Sequence, residues 1–415
     1  MPTKRPALTK PNDGLISVKE ALSKVLSVFS PLNAEELSIA DAFGRVLAKD
    51  IASRTTQPPT PVSAMDGYAV RTVDIATVPV QLTQIGEASA GSGFVGVVGK
   101  GETVRIFTGA PIPDGADTIV IQEDTNCAGN QITMHKTLKM GKYVRPKGLD
   151  FQKGQVLLKA GTRLNSRHVA LVSGMNVPWV SVRRKPRIAI LSNGNELVLP
   201  GEPIGPDQII SSNNLGLIAF VGAAGGLGIN LGIAKDDPNS IRDMIKGVEG
   251  ADLLVTIGGA SVGDYDLIKS VLLEEGLEIS FSRVAMRPGK PLIFGKIYEK
   301  PILGLPGNPV SAGVTATLFL KPAIDLMLGR TYRVAAPETA KLGRNLEKND
   351  KRQDFLRSAL SLDENGELVA TPFELQDSSM LALFTQADCL AVRAPLAPPA
   401  KKGERIQIIR LDLEA

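Results

Sequence analysis

Cysteine and histidine are scarce in this sequence, with two residues of each among 415. Cys127 and Cys389 lie far apart and lack metal-ligand spacing, so the sequence predicts neither a disulfide framework nor a zinc site. His135 and His168 have no serine or cysteine partner pattern. Because His168 falls on an apolar helical stretch, we expect its role to be structural.

The sequence also lacks an excess of either charge and any long apolar run. Its 47 basic and 43 acidic residues leave a net charge of only +4, too balanced for a protein that coats nucleic acid, although a local anion site remains open. No run of about 18 apolar residues occurs, and the basic start has no apolar core. We therefore expect a globular, cytoplasmic protein that binds neither nucleic acid nor membrane.

Changes in residue pattern divide the chain. Residues 55–149 are short β-type runs separated by Gly, Asp and Pro, which predicts an inserted β-module. From 186 to about 331, apolar strand-like runs alternate with helical stretches, which predicts a mainly parallel sheet covered on both faces. After Arg330, short strands return and predict a small β-barrel or sandwich.

Individual elements follow from periodicity and capping signals. Ser17 lies three residues before Glu20, a capping-box spacing that predicts a helix to about Phe29. A second helix is expected over residues 34–50. Further helices are expected at 166–174, 213–224, 238–248, 265–275 and 309–328, and strands at 187–191, 229–234 and 252–258.

A glycine-rich loop joins a predicted strand to a predicted helix and carries the residues Gly258, Gly259, Ser261, Gly263 and Asp266. Glycines let the backbone approach a ligand, and a helix start offers N–H groups to a phosphate or another oxyanion. A tight turn with a capping Asp fits the same residues equally well. The loop matches neither the P-loop nor G-x-G-x-x-G, which disfavours a nucleotide hydrolase or a Rossmann dehydrogenase.

A second loop of this kind contains the residues Pro306, Gly307, Asn308 and Pro309. Asn308 suits a helix N-cap and Pro309 the first helical position, so part of the motif is ordinary helix-start chemistry. The two prolines nevertheless make a rigid loop at the carboxyl end of a strand, where α/β sheets bind ligands. This position favours a functional role.

Charged residues follow other strands of the same region. Glu196 could be a general base or metal ligand, or a solvated loop carboxylate. Asp236 and Asp237 add a carboxylate pair, for which helix capping is a good alternative. Arg287 and Lys290 lie on a proline-stiffened turn that is either a solvated basic turn or an anion clamp.

Three segments of the β-module contain turn signals: Ser63–Ala69 around Asp66, Thr108–Pro111, and Arg145–Asp150. From the residues alone each of them is a turn.

Together and in this order, these segments resemble the MoeA family of molybdopterin molybdenumtransferases, to which the C-terminal domain of gephyrin also belongs. The resemblance spans the chain from about residue 14 to 410 and rests on PVSAMDGYAV (61–70), RIFTGAPIPDGADTIVIQED (105–124), VRPKGLDFQKGQVLLKAGT (144–162), AILSNGNEL (189–197), GGASVGDYDLIK (258–269), MRPGKPLIFG (286–295) and GLPGNPVSA (304–312).

The resemblance implies a multidomain α/β and β architecture. Its expected domains are a helical and mixed domain (14–54 plus 150–185), the β-module (55–149), a mixed, mainly parallel α/β molybdopterin-binding domain (186–331) and a C-terminal β-barrel (332–415). It also implies an elongated homodimer whose active cleft lies between the β-module of one subunit and the α/β domain of the other.

The implied reaction takes adenylylated molybdopterin, hydrolyses its phosphoanhydride with the help of Mg²⁺, inserts molybdate and releases AMP. The molybdopterin adenylyltransferase and recipient molybdoenzymes are expected partners. Catalytic roles fall on Asp66, Glu196, Asp237 and Asp266, with Asp237 and Asp266 as metal ligands. Substrate-binding roles fall on Thr108, Arg145, Asp150, Arg287, Lys290, Pro306, Pro309 and Ser378, and the loop residues Gly258, Gly259, Ser261, Gly263, Gly307 and Asn308 complete the predicted set.

Two positions depart from the family pattern. Asn193 stands where the family usually has Thr, and Ser211 stands where it usually has Asp. The alternative function is a member of the same family that binds molybdopterin without turnover, as a carrier or scaffold. An unrelated phosphate-binding α/β enzyme is a third hypothesis, and it would require the β-module matches to be accidental.

Overall fold

The computed structural model describes residues 14–258, 267–330 and 338–412. Its α-helices are α1 (Val18–Leu26), α2 (Ser166–Gly174), α3 (Asn213–Ala223), α4 (Pro238–Ile245), α5 (Leu267–Glu274), α6 (Pro309–Thr315), α7 (Lys321–Met327) and α8 (Leu381–Phe384).

The strands up to residue 183 are β1 (Ala34–Ser38), β2 (Ile51–Ala52), β3 (Val62–Ser63), β4 (Gly67–Val70), β5 (Val80–Ala88), β6 (Glu102–Ile106), β7 (Thr118–Ile121), β8 (Thr125–Ala128), β9 (Gln131–Met134), β10 (Val144–Arg145), β11 (Val156–Leu158) and β12 (Trp179–Arg183). Those of the middle region are β13 (Arg187–Asn193), β14 (Leu197–Val198), β15 (Ile209–Ile210), β16 (Leu227–Ala234), β17 (Leu253–Ile257), β18 (Glu278–Arg283), β19 (Met286–Arg287), β20 (Pro291–Ile297) and β21 (Lys300–Leu305). The last strands are β22 (Thr339–Leu342), β23 (Gln353–Leu362), β24 (Leu368–Pro372), β25 (Cys389–Arg393) and β26 (Arg405–Arg410).

The N-terminal segment contains one predicted helix and lacks another. Helix α1 begins as predicted, because the Ser17 hydroxyl accepts the Glu20 N–H at 3.1 Å, but it ends at Leu26 rather than Phe29. The helix predicted over 34–50 is wrong. Its first residues form β1, which pairs antiparallel with β12, because a partner strand distant in sequence outweighs local helix propensity.

The predicted β-module contains a six-stranded sheet in the order β7-β4-β6-β5-β9-β8. Strand β4 lies in its interior between β6 and β7, and all four of its residues are buried. The SAMDGYA segment therefore runs from an exposed turn directly into a rigid strand, which holds the turn in place.

The central sheet has the order β16-β13-β17-β21-β20-β18. Four neighbouring strands are parallel, namely β16, β13, β17 and β21. Strand β20 pairs antiparallel with both β21 and β18. The sheet is therefore mixed and mainly parallel, as predicted. All five residues of β17 are buried, since helices cover both faces of such a sheet. The carboxyl ends of the parallel strands bring the predicted functional loops to one edge.

The long helix predicted from residue 309 to 328 consists of α6, a π-helical segment over residues 316–320, and α7. Pro322 lies in the first turn of α7 and has no N–H to continue the α-helical ladder, which accounts for a π segment at this point. The span Pro309–Met327 is long and apolar enough to cross a membrane, but 78% of its apolar window is buried inside the protein. It is a core helix here.

The C-terminal region closes into a β-barrel, which decides between the two architectures that the sequence left open. Residues Asp354–Ser358 of β23 pair with β25, and residues Ser358–Leu362 pair with β24. The remaining pairings β24–β22, β22–β26 and β26–β25 complete the ring. Strand β19 also pairs in parallel with β23, which joins the barrel to the middle region.

Candidate active site

Two adjoining clefts lie at the carboxyl edge of the central sheet. The first, here called the basic cleft, has a volume of about 600 Å³ and is lined by residues that include Met286, Arg287, Lys290, Pro306, Arg352, Gln376, Asp377 and Ser378. The second, here called the amide cleft, has a volume of about 380 Å³ and is lined by residues that include Ser192, Asn193, Leu197, Ile209, Ile210, Ser211, Asn213 and Pro309. Glu196, Gly258, Gly307 and Asn308 line both clefts. Both volumes suit a small-molecule ligand.

The glycine-rich loop begins at the junction of the two clefts. Gly258 has a φ of +88°, and a Cβ at this position would lie 3.2 Å from Asn193 Oδ1. Glycine is therefore favoured by both the backbone conformation and the space. The predicted substrate-binding residues Gly259, Ser261 and Gly263 and the predicted metal ligand Asp266 lie outside the described residues.

The Pro306–Pro309 loop is held in place from two sides. The Asn213 side-chain amide donates to the Gly307 carbonyl at 2.6 Å. Asn308 occupies the N-cap position, but its side chain makes no capping bond and instead donates to Ser378 Oγ at 2.7 Å. The expectation that Asn308 caps the helix with its side chain is therefore wrong, because the barrel offers it another partner. The Ser378 carbonyl accepts the N–H of Val310 at 3.1 Å.

The predicted carboxylates differ in position. Glu196 is exposed and lines both clefts. Asp236 exchanges hydrogen bonds of 3.1 Å with Asn195, and Asp237 caps α4 by accepting the Ser240 N–H at 2.8 Å. Neither aspartate lines a cleft. Asp237 thus has the capping role that the sequence offered as an alternative, and its catalytic role remains a prediction.

Both predicted cations line the basic cleft, but their partners differ. Arg287 is paired with Asp354 and, at 3.6 Å, with Asp350, whereas Lys290 is exposed and makes no ion pair with the residues described. The barrel adds Arg352, which sequence reasoning missed. Its hydrogen bonds to Asp350 lower the pKa of that carboxyl group to about 2. The cluster of charged residues at 350–354, with Lys351 and Arg352 between Asp350 and Asp354, was the available signal.

The functional residues predicted in the β-module form a separate group. Both the backbone N–H and the hydroxyl of Thr108 donate to Asp66 Oδ1 at 2.8 Å, and the backbone bond is the first cause that lowers the pKa of Asp66, followed by the hydroxyl bond. Asp66, Thr108, Arg145 and Asp150 line neither cleft. They therefore lie outside the two clefts that Glu196 lines.

The two family departures, Asn193 and Ser211, line the amide cleft. Asn193 Oδ1 is buried and has no hydrogen-bond partner within the described ranges. Ser211 is buried, and its backbone N–H donates to the Val198 carbonyl at 2.8 Å. Beside Glu196, the amide cleft thus has a neutral amide and a neutral hydroxyl at these two positions.

His168 has the structural role expected for it. Its ring Nδ1 accepts the Asn165 N–H at 3.2 Å, and Asn165 Oδ1 accepts the His168 N–H at 3.0 Å. This reciprocal pair caps α2. Among residues 14–258, 267–330 and 338–412, no group of three or more His, Cys, Asp or Glu side chains could hold a metal ion.

Three family models match the chain in order. They are described as the MoeA N-terminal region (domain I and II) over residues 16–175, the probable molybdopterin binding domain over 189–326, and the MoeA C-terminal region (domain IV) over 339–411. Together they span the sheet of the β-module, the central sheet and the barrel.

Individual proteins show the same similarity. The chain is 37% identical over 360 residues to a molybdopterin molybdenumtransferase of Nostoc sp., covering 83% of this chain and 82% of the relative. It is 32% identical to a molybdopterin molybdenumtransferase of Haemophilus influenzae, covering 95% and 98%. A crystal structure of a MoeA protein from Pyrococcus horikoshii superimposes with a TM-score of 0.83 at 34% identity, covering 96% of this chain and 100% of that one.

Proposed function

Because this chain belongs to the MoeA family, we propose that it is a molybdopterin molybdenumtransferase, which inserts molybdate into adenylylated molybdopterin and releases AMP. The observation that carries this proposal is the pair of adjoining clefts at the carboxyl edge of the central sheet, one with Arg287, Lys290 and Arg352 in its lining and the other with mostly neutral polar and apolar side chains. A substrate with an anionic part and a flat polar ring fits such a pair.

The basic cleft is suited to the anionic part. Lys290 of the middle region and Arg352 of the barrel are cations in its lining. Ser378 adds a hydroxyl beside Asn308. Phosphate and molybdate are tetrahedral oxyanions, and amino, guanidinium and hydroxyl donors stabilise their charge.

The amide cleft is suited to the pterin ring. Leu197, Ile209 and Ile210 supply apolar surface, and Asn193 and Ser211 supply neutral hydrogen-bonding groups. A pterin carries both donors and acceptors on its edge, so neutral amides and hydroxyls can bind it without the cost of burying a charge.

The described residues supply part of a Mg²⁺ site. Mg²⁺ usually binds one or two carboxylates together with substrate phosphate oxygens, and Glu196 is the carboxylate at the junction of the clefts. A bound Mg²⁺ would neutralise charge on the phosphoanhydride. Asp237 and Asp266 remain its predicted further ligands.

The separate position of the β-module residues supports a homodimer. Asp66 is held in a single orientation by Thr108, as suits a group that acts on a substrate, yet it lines neither cleft of its own chain. We propose that it faces the clefts of a second copy. We also propose a cytoplasmic location, with the molybdopterin adenylyltransferase and recipient molybdoenzymes as partners.

The test is turnover by the purified protein. Adenylylated molybdopterin, molybdate and Mg²⁺ should yield AMP together with a product that activates a molybdenum-free molybdoenzyme. Tight binding of the pterin without release of AMP would instead favour the carrier or scaffold function. The variant Asp237→Asn separates two roles of that residue. If Asp237 is a metal ligand, the variant should lose turnover in a Mg²⁺-dependent manner. If Asp237 only caps its helix, turnover should be unchanged.

A further inference from the structure

The ion pair of Arg287 and Asp354 joins the middle region to the barrel at the rim of the basic cleft. Arg287 Nε donates to Asp354 Oδ1 at 2.9 Å, and Arg287 Nη2 donates to Asp354 Oδ2. The two side chains thus meet in a bidentate arrangement, which fixes both the distance and the plane of the guanidinium group.

Asp354 is buried and Arg287 is half exposed, with side-chain exposures of 5% and 47%. The carboxylate is therefore shielded from water, while the far end of the guanidinium remains at the cleft. A buried carboxylate needs a paired cation, so Asp354 holds Arg287 more firmly than a surface carboxylate would.

The surrounding contacts place this pair at the same point as the backbone connection between the two regions. Arg287 and Asp354 are directly opposite each other in the β19–β23 pairing, and the Gln353 N–H donates to the Ala285 carbonyl at 2.8 Å. Asn349 Oδ1 also accepts from Arg287 Nη2, at 3.4 Å. Backbone and side-chain hydrogen bonds therefore fix the orientation of the barrel relative to the middle region.

The same barrel segment also orients the second arginine of the cleft. Asp350 Oδ2 accepts from Arg352 Nη2 at 2.8 Å and lies 3.6 Å from Arg287 Nη1. Asp350 thus bridges the two guanidinium groups from the barrel side. The position of Arg352 in the cleft depends on how the barrel is docked.

We propose that Asp354 is a positioning residue of the oxyanion site: it holds Arg287 at the rim of the basic cleft and ties the barrel to the middle region in the orientation that puts Lys290 and Arg352 in one cleft. This inference rests on the proposed function for its oxyanion ligand. Arg287 then acts chiefly through the docking of the barrel, and Lys290, which makes no ion pair with the residues described, offers its charge to the anion.

The test compares the full-length wild-type protein with Asp354→Asn, which keeps the size of the side chain and loses its charge. Binding of molybdate and of inorganic phosphate is measured by calorimetry, and AMP release is measured at saturating molybdate. Asp354→Asn should weaken binding of both oxyanions at least about fivefold, because a shift of the barrel weakens the hydrogen bonds that Arg287 and Arg352 can donate to the anion. The maximal rate should change less than twofold, because saturating anion restores occupancy.

Asp354→Glu and Arg287→Lys refine the comparison. Asp354→Glu retains the charge and should recover part of the lost affinity. Arg287→Lys loses the bidentate contact and should weaken oxyanion binding like Asp354→Asn, and the double variant should be no weaker than either single variant, since both changes break one contact. If Asp354→Asn fails to fold, Arg287→Lys carries the same test.

Glu338→Gln is the matched control. Glu338 also makes a bidentate pair, with Arg410 of the same barrel, but neither residue lines the clefts, so oxyanion affinity should stay at the wild-type value. Unchanged oxyanion binding in a folded Asp354→Asn, or additive losses in the double variant, would overturn the inference. A wild-type protein that binds oxyanions but releases no AMP would refute the proposed function and leave the binding comparison valid.

Discussion

Gly67 follows Asp66 directly, and the structure predicts a large effect of replacing it with alanine. Gly67 lies in β4 between β6 and β7, opposite Ile106 and Ile121. A Cβ at this position would lie 2.1 Å from the carbonyl oxygen of Val120 and 2.9 Å from the Cα of Ile121. Both obstacles are backbone atoms, so no side-chain rotation can relieve the clash.

The size of the effect follows from that distance. Ordinary contacts between carbon and a carbonyl oxygen are about 3.3 Å, so the two strands would have to separate by about 1 Å. Overpacking of this kind costs about 1–3 kcal/mol, which at about 4–8 °C per kcal/mol for a domain of roughly 60–100 residues corresponds to roughly 4–24 °C in the melting temperature of the β-module. Asp66 would move with the strand and lose its 2.8 Å hydrogen bonds from Thr108. A displacement of about 1 Å can cost roughly a hundredfold in rate.

The assay compares Gly67→Ala with Gly216→Ala by calorimetric melting and by AMP release from adenylylated molybdopterin. Gly216 lies on the exposed side of α3, and nothing lies within 4 Å of its Cβ position, so its replacement should raise stability by about 0.5–1 kcal/mol and leave the rate unchanged. We expect Gly67→Ala to melt earlier and to lose about two orders of magnitude in kcat/KM. Wild-type melting and activity in Gly67→Ala would refute the reasoning about both the clash and the position of Asp66.

Three further predictions concern the site. Mixed dimers of Asp66→Ala and Asp266→Ala chains should recover activity, because one of the two clefts in a mixed dimer is intact; no recovery despite verified exchange would place each site within one chain. Thr108→Val removes one of the hydrogen bonds that lower the pKa of Asp66, so the acid limb of the pH–rate profile should move to higher pH, and an unmoved limb would show that ionisation of Asp66 does not limit the rate. Asn193→Thr should change substrate affinity by about two- to tenfold, the value of one neutral hydrogen bond, and leave kcat nearly unchanged; a change of a hundredfold in kcat would place this side chain in the chemical step.

Local sequence signals predicted a helix or strand correctly where the tertiary contacts of that segment favour the same structure. Ser17 begins α1 as its capping-box spacing requires, and the buried strand β17 has the continuous apolar run typical of a central parallel strand. The failures are at positions where a distant partner decides. Residues 34–38 form a strand because residues 179–183 pair with them, and no local pattern contains that information.

The sequence by itself determined the family, the alternation that builds the central sheet, and the loops that follow its strands, because periodicity and strand-to-helix turns are local and the carboxyl ends of parallel strands share one edge. Only the tertiary structure decided which side chains are available there. Asn308 bonds Ser378 instead of capping its helix, Arg287 is held by Asp354, and Arg352 joins the cleft from the barrel. Hydrogen bonds and ion pairs of this kind act over a few ångströms, so they depend on how separately folded regions pack against each other.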